Sequence, residues 1–355
     1  MRHLNNTFLM VAIMTLIALN ANGQYVTTHA KIAMPGQQTG IYYALPRTVI
    51  QLDFVIDEVE LIAGPYSDFV YMVGAEDYVS DNSVEYRLNE VRMTTLAEAD
   101  PSATFFVAMN PKKGEGVKFY LNQKGILQGV GIAPQAPKES PAVASCDVPT
   151  KTPSREFKYQ YGANAIRGIE QQARNAAEMI TRIREEKIKL LTGFQETAFN
   201  LDTYRQMLAD LDEMEAEYLS LFIGKRIVNP TVKTVYVTPS KDVPTQTIGK
   251  FSTTSGFSTD LYGSGSLVTF QALSLNLRGT INEPSVSAVE SLSHENKLFY
   301  RIPETANVRV TMGQQVLVDQ RATIAQYGVF MLAPLGKSKL SLDPETGQII
   351  GVGVE

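Results

Sequence analysis

The chain has 355 residues, with 32 Lys and Arg against 37 Asp and Glu, and its one cysteine is Cys146. A net charge of −5 argues against nucleic acid as a partner, because such binders carry a basic face. One thiol excludes an intramolecular disulfide, yet 44% hydrophobic residues suffice for a core without staples and for two or three domains.

Residues 1–23 read as a secretory signal peptide. Arg2 and His3 precede an apolar run from Phe8 to Leu19, and Asn20-Ala21-Asn22-Gly23 supplies small residues for cleavage before Gln24. The run is shorter than the roughly 20 apolar residues of a spanning helix, so no transmembrane segment is expected once the signal is removed. Without Arg2 the balance becomes 31 basic against 37 acidic residues, or −6. Cys146 lies far from the cleavage site, so the mature chain is not a lipoprotein by sequence. That cysteine sits among Pro, Ala and Ser, where nothing fixed lowers its pKa, and it is read as incidental.

Residues 24–132 form an N-terminal β-rich unit. Its landmark is Tyr42-Tyr43-Ala44-Leu45-Pro46-Arg47-Thr48. Beyond it Ile50, Leu52, Phe54 and Ile56 alternate with Gln51, Asp53 and Asp57, the period of a half-buried antiparallel strand. Ala75 to Asp100 reads as an exposed polar excursion with a short strand near Val84–Leu88. Lys118–Leu121 then begins a hairpin that turns through Asn122-Gln123-Lys124-Gly125 and returns through Gly129 and Gly131.

Residues 133–155 are a linker holding Pro134, Pro137, Pro141, Pro149 and Pro153. Residues 156–225 are expected to form an antiparallel helical hairpin. Ile166, Ile169, Ala173, Ala176, Ile180, Ile183 and Leu190 make one heptad seam, interrupted by Lys187 and closed by Gly193. Leu201, Tyr204, Leu208, Leu211, Tyr218 and Phe222 make the other, with Asn200 as N-cap and Gly224 as stop. Glu170–Arg174 and Glu185–Lys189 are spaced as outer-face i,i+4 pairs.

Residues 226–355 form a C-terminal β-rich unit, which contains the landmark's second copy, Phe299-Tyr300-Arg301-Ile302-Pro303-Glu304-Thr305. Val308, Val310 and Met312 alternate after it with Asn307, Arg309 and Thr311, and Lys339–Leu342 with Asp343-Pro344-Glu345-Thr346-Gly347 repeats the hairpin. Gly347–Val354 matches Gly125–Ile132. The expected fold is therefore α+β, two related antiparallel β-rich units flanking a long helical hairpin. Pro46 and Pro303 are expected at matching strand entrances, each followed by its hairpin. Ser252–Ser266, rich in Ser, Thr and Gly, reads as a hairpin loop; a glycan-binding loop is the alternative.

The sequence offers no catalytic, cofactor-binding or metal-ligating residue. Beyond the signal only His29 and His294 remain, with no metal-type spacing, and His294 reads as a solvated loop residue. No Gly-x-Ser-x-Gly elbow, Walker-type loop or dinucleotide fingerprint occurs, and Gly263-Ser264-Gly265-Ser266 lacks a strand–helix context. Two carboxylate clusters remain as candidates for glycoside chemistry. Asp57, Glu58 and Glu60 lie on a strand face expected to meet water, and Asp210, Asp212, Glu213, Glu215 and Glu217 on a helix face expected to be solvated.

Three groups of residues carry a family resemblance. They are Tyr43-Ala44-Leu45-Pro46-Arg47-Thr48 with Ala63-Gly64-Pro65-Tyr66, then Leu190-Leu191-Thr192-Gly193 with Tyr218-Leu219-Ser220-Leu221-Phe222-Ile223-Gly224-Lys225, and finally Phe299-Tyr300-Arg301-Ile302-Pro303 with the Asp343–Gly347 turn. On these the chain resembles a family of secreted Bacteroidetes proteins known only as a domain of unknown function. The resemblance implies an exported protein of a Gram-negative envelope and transfers no catalytic residue. The expectation is thus a non-enzymatic envelope protein, periplasmic or associated with the outer membrane, that binds, scaffolds or assembles through an envelope protein or outer-membrane complex. A subunit of a secretion or assembly machine is a variant of that reading. A glycan-binding or glycan-hydrolysing protein using carboxylates and aromatic residues is the alternative.

Overall fold

The computed structural model describes residues 24–34, 36, 38–110, 116–134, 154–159, 168–192, 200–279, 281, 284, 286–336 and 338–354. The signal, Cys146, Ile166, Gly193 and most of the linker lie outside them. The first strands are β1 (Tyr25–His29), β2 (Gly40–Ile62), β3 (Ser83–Met109), β4 (Phe119–Leu121) and β5 (Leu127–Val130). Helices α1 (Ile169–Thr192) and α2 (Leu201–Ile223) follow, then β6 (Lys225–Val237), β7 (Thr245–Ser252), β8 (Gly256–Ser258) and β9 (Ser266–Ser274). A short α3 (Val286–Ser291) leads to β10 (His294–Glu295), β11 (Lys297–Met312), β12 (Gln315–Pro334), β13 (Ser338–Leu342) and β14 (Ile349–Val354).

The protein is a mixed α+β fold, and its described residues form three antiparallel sheets, ordered β10-β1-β3-β2-β6, β12-β11-β9-β7-β8 and β14-β13-β5-β4. The alternation after each landmark selects the buried face. Ile50, Leu52, Phe54 and Ile56 of β2 pack against Val268, Phe270, Val308 and Val310 of the second sheet. A second core gathers Tyr25, Tyr43, Leu45, Phe105, Leu127, Phe299, Leu340 and Leu342, so all three sheets meet there.

Two expectations change. Most of Ala75–Asp100 is no excursion, because residues 83–99 are the first part of β3 and pair along β2. Tyr86, Leu88, Val91 and Met93 pack on the core, while the intervening Glu85, Arg87, Glu90 and Arg92 give the segment its loop-like composition. The prolines, moreover, do not stand at strand entrances. Pro46 and Pro303 are buried inside long strands, at breaks in register. Pairing passes from Ala44↔Thr104 to Pro46↔Ala99, and from Ile302↔Val329 to Glu304↔Ile324. In each pair one residue, Leu45 or Pro303, therefore faces four on the partner strand, 100–103 or 325–328. A residue without an N–H is tolerated where the ladder is already interrupted.

Helices α1 and α2 pack against each other. The Tyr204 hydroxyl, early in α2, donates to the Leu190 carbonyl late in α1 at 3.3 Å. At the opposite end Ala173, Ala176, Ile180, Leu221 and Phe222 cluster with Tyr66. The Asn200 side chain accepts from Thr203 N–H at 2.7 Å, and Gly224 ends α2 at φ 79°, as the capping residues foretell. The seams fray at their ends, since Ile169 and Leu201 are exposed. Glu170 pairs with Arg174 as spaced, but Lys189 takes Glu186 rather than Glu185. Lys187, which breaks the heptad, crosses to Asp212 and Glu215 at 2.5 and 2.6 Å.

Candidate functional site

The two landmark strands meet in the interior. The Tyr43 hydroxyl donates to the Phe299 carbonyl at 3.2 Å and accepts from the Phe299 N–H at 3.0 Å. Phe105 stacks between their rings, 5.5 Å from Tyr43 and 4.5 Å from Phe299. Burial drives the Tyr43 phenol far above its ordinary pKa, against a smaller opposing pull from the Phe299 bond, so this hydroxyl stays neutral.

Each bulge is held by a residue of the other landmark. Arg301 reaches out of the second copy to donate to the Pro46 carbonyl at 2.5 Å and to Asp100, in the first bulge, at 2.9 Å. Its guanidinium also lies 4.9 Å over the Phe330 ring. The other Asp100 oxygen accepts from Ser102 N–H and Oγ. Burial alone would raise the Asp100 pKa, but the bonds from Ser102 and Arg301 outweigh it and hold the carboxyl below its ordinary value. Reciprocally, Thr48 of the first copy binds the second bulge. Its Oγ1 accepts from Ala325 N–H at 2.9 Å and donates to the Thr323 carbonyl, while its backbone exchanges two bonds with the Gln326 amide. The paired turns also dock alike, for Ala44 N–H donates to Gly125 O and Arg301 N–H to Gly347 O, both at 3.0 Å.

Beside this junction lies a cleft of about 320 Å³ between β3 and the outer edge of β12. Thr48, Met93, Thr95, Leu96 and Ala97 line one side, Arg321, Ala322 and Thr323 the other, and Glu345 and Thr346 of the β13–β14 turn close it.

The residues singled out in the sequence are dispersed. Glu60 pairs with Arg155 and Asp57 lies opposite Arg87. Asp53, expected to face water, is buried and accepts from Thr234 and Gln51. The acidic face of α2 is mostly engaged rather than merely solvated: Asp212 and Glu215 bind α1, while Glu213 and Glu217 bind Lys158, and Glu217 also binds Lys225. The bonds from Lys187, opposed by partial burial, lower the Glu215 pKa, with a further contribution from Arg184. His29 is buried, with Nε2 3.0 Å from the Ser102 carbonyl. His294 is not a solvated loop residue, because β10 pairs with β1 and sets its ring edge-on to Phe299 at 4.9 Å. In Ser252–Ser266, Phe257 of β8 stacks on Phe54 of β2 at 4.3 Å, and Tyr262 stands exposed.

Sequence reasoning missed the Arg301–Asp100 and Thr48–Gln326 contacts and the cleft beside them. The one available signal was Arg301 itself, a charge placed inside an otherwise aromatic and aliphatic landmark. Among the described residues no group of three or more His, Cys, Asp or Glu could hold a metal, and no helix is long and apolar enough to cross a membrane.

No curated protein matches the chain, and no solved structure does. A family model does match, over residues 39–350, from ahead of the first landmark to the strand after the last turn. The chain belongs to the family described as Domain of unknown function (DUF4831).

Proposed function

We propose that this protein is an exported, non-enzymatic component of a cell envelope that binds, scaffolds or assembles other envelope proteins, with two related β-rich units carrying a helical hairpin as a docking arm. The shared register breaks and turn contacts of the landmarks support the two related units. The arm carries the functional reading. Its base is fixed by Tyr66, Ala173, Ala176, Leu221 and Phe222, and beyond that base the helices cover mainly each other. Arg184 and Lys187 bridge from α1 to Glu215 at 2.7 and 2.6 Å, which stiffens the pair. At the far end Ile188, Leu191 and Leu201 are 59, 66 and 62% exposed, which makes an exposed apolar tip.

The test is in-cell cross-linking with the tip changed by Ile188→Ser, Leu191→Ser and Leu201→Ser in a stably folded protein. Loss of the native cross-linked partners is expected, and an unchanged partner set would sink the docking arm. Export is checked separately by fractionation and N-terminal sequencing. Mature protein beginning at Gln24 in the envelope fraction is expected; an uncleaved cytoplasmic chain refutes export.

A further inference from the structure

We propose that the cleft between β3 and β12 is a binding site for a small hydroxylated carboxylate of the hexuronic acid class. Its volume of about 320 Å³ falls within the range of about 300–1,000 Å³ typical of small-molecule sites. Its walls come from Thr48 of the first landmark, from β3 and β12, and from the turn after β13, and two of them are fixed in advance. Thr48 Oγ1 is held by Ala325 N–H at 2.9 Å, and Thr346 Oγ1 is held on Asp343 at 2.6 Å. A site already rigid loses little entropy when it is filled.

The charges choose the ligand. Arg47, Arg92 and Arg309 on the same sheets are each paired, with Glu98, Glu90 and Asp319. Arg321 and Glu345 both line the cleft, and among the described residues neither makes an ion pair. A planar guanidinium with no partner suits a carboxylate, which it binds by two parallel charge-assisted bonds. Glu345 can only accept, so it suits a hydroxyl and repels a purely anionic ligand such as phosphate. The Thr95 and Thr323 hydroxyls serve either role. A neutral sugar leaves Arg321 unused, and a simple carboxylate leaves Glu345 and the threonines unused. The site is independent of the helical arm.

The experiment is calorimetric titration of the mature full chain with D-glucuronate, D-glucose and acetate. Saturable glucuronate binding is expected, about tenfold or more tighter than either control. Arg321→Gln should bring glucuronate down to the level of glucose, and Glu345→Gln should weaken glucuronate but not acetate. Thermal melts confirm that both variants are folded, and Ile188→Ser in the arm should bind glucuronate as the native protein does. Absence of saturable glucuronate binding, equal binding of all three compounds, or indifference to Arg321→Gln in a folded protein each overturns the proposal.

Discussion

Asp100 and Arg301 stand 201 residues apart in the chain and 2.9 Å apart in the fold, with side chains only 7 and 4% exposed. A buried pair of this kind is costly to break from one side, because the surviving charge is left desolvated and unmatched. Arg301→Met or Asp100→Asn alone should each destabilise the protein by about 3–5 kcal/mol. The double replacement should recover part of the loss. Denaturant unfolding of the two single variants and the double variant measures this, and strictly additive effects would show that the pair is not coupled.

The same carboxyl fixes part of the pH response. Because Ser102 and Arg301 lower its folded pKa against the effect of burial, Asp100 adds stability that is fully present above the unfolded value. That contribution is lost as pH falls from about 4 through the folded value. Glu215, lowered chiefly by Lys187, contributes with the same sign. Acid unfolding of Asp100→Asn should therefore be shallower below about pH 4 than that of the native chain. Parallel acid limbs for the two proteins would contradict the assignment.

Gly125 and Gly347 occupy matching turns at φ 77° and 75°, but their surroundings differ. A Cβ on Gly125 meets nothing within 4 Å, whereas on Gly347 it would lie 2.8 Å from Pro46 Cδ. Gly125→Ala should cost about 1 kcal/mol, the strain of a left-handed alanine. Gly347→Ala should cost a further 1–3 kcal/mol or so from overpacking against the first landmark. Thermal unfolding of the two variants gives the order directly.

The arm should be stable from its base and tolerant at its tip. Phe222 is fully buried at the base, and Phe222→Ala should cost about 3–5 kcal/mol. Leu201→Ala, at the exposed end, should stay within about 0.5 kcal/mol of the native protein. Hydrogen exchange should show faster opening of α1 and α2 in the first variant and native protection in the second.

Local chemistry is legible in the amino-acid sequence alone. Period-two alternation identifies the buried face of β2 and β11, Asn200 and Gly224 mark the ends of α2, and glycines mark the turns, because each depends on neighbours in the chain. The first half of β3 is hidden since its outward face is polar, and composition cannot distinguish a solvent-facing strand from a loop. The doubled landmark is visible as repetition, and its prolines signal extended backbone. Tertiary structure alone decides that these prolines sit at register breaks deep in long strands. It also decides that each bulge is clasped by the opposite copy, that Arg301 finds Asp100, and that a cleft opens beside them. Those contacts join residues some 200 to 280 positions apart. Their energy comes from burial and pairing across sheets, which no local pattern encodes.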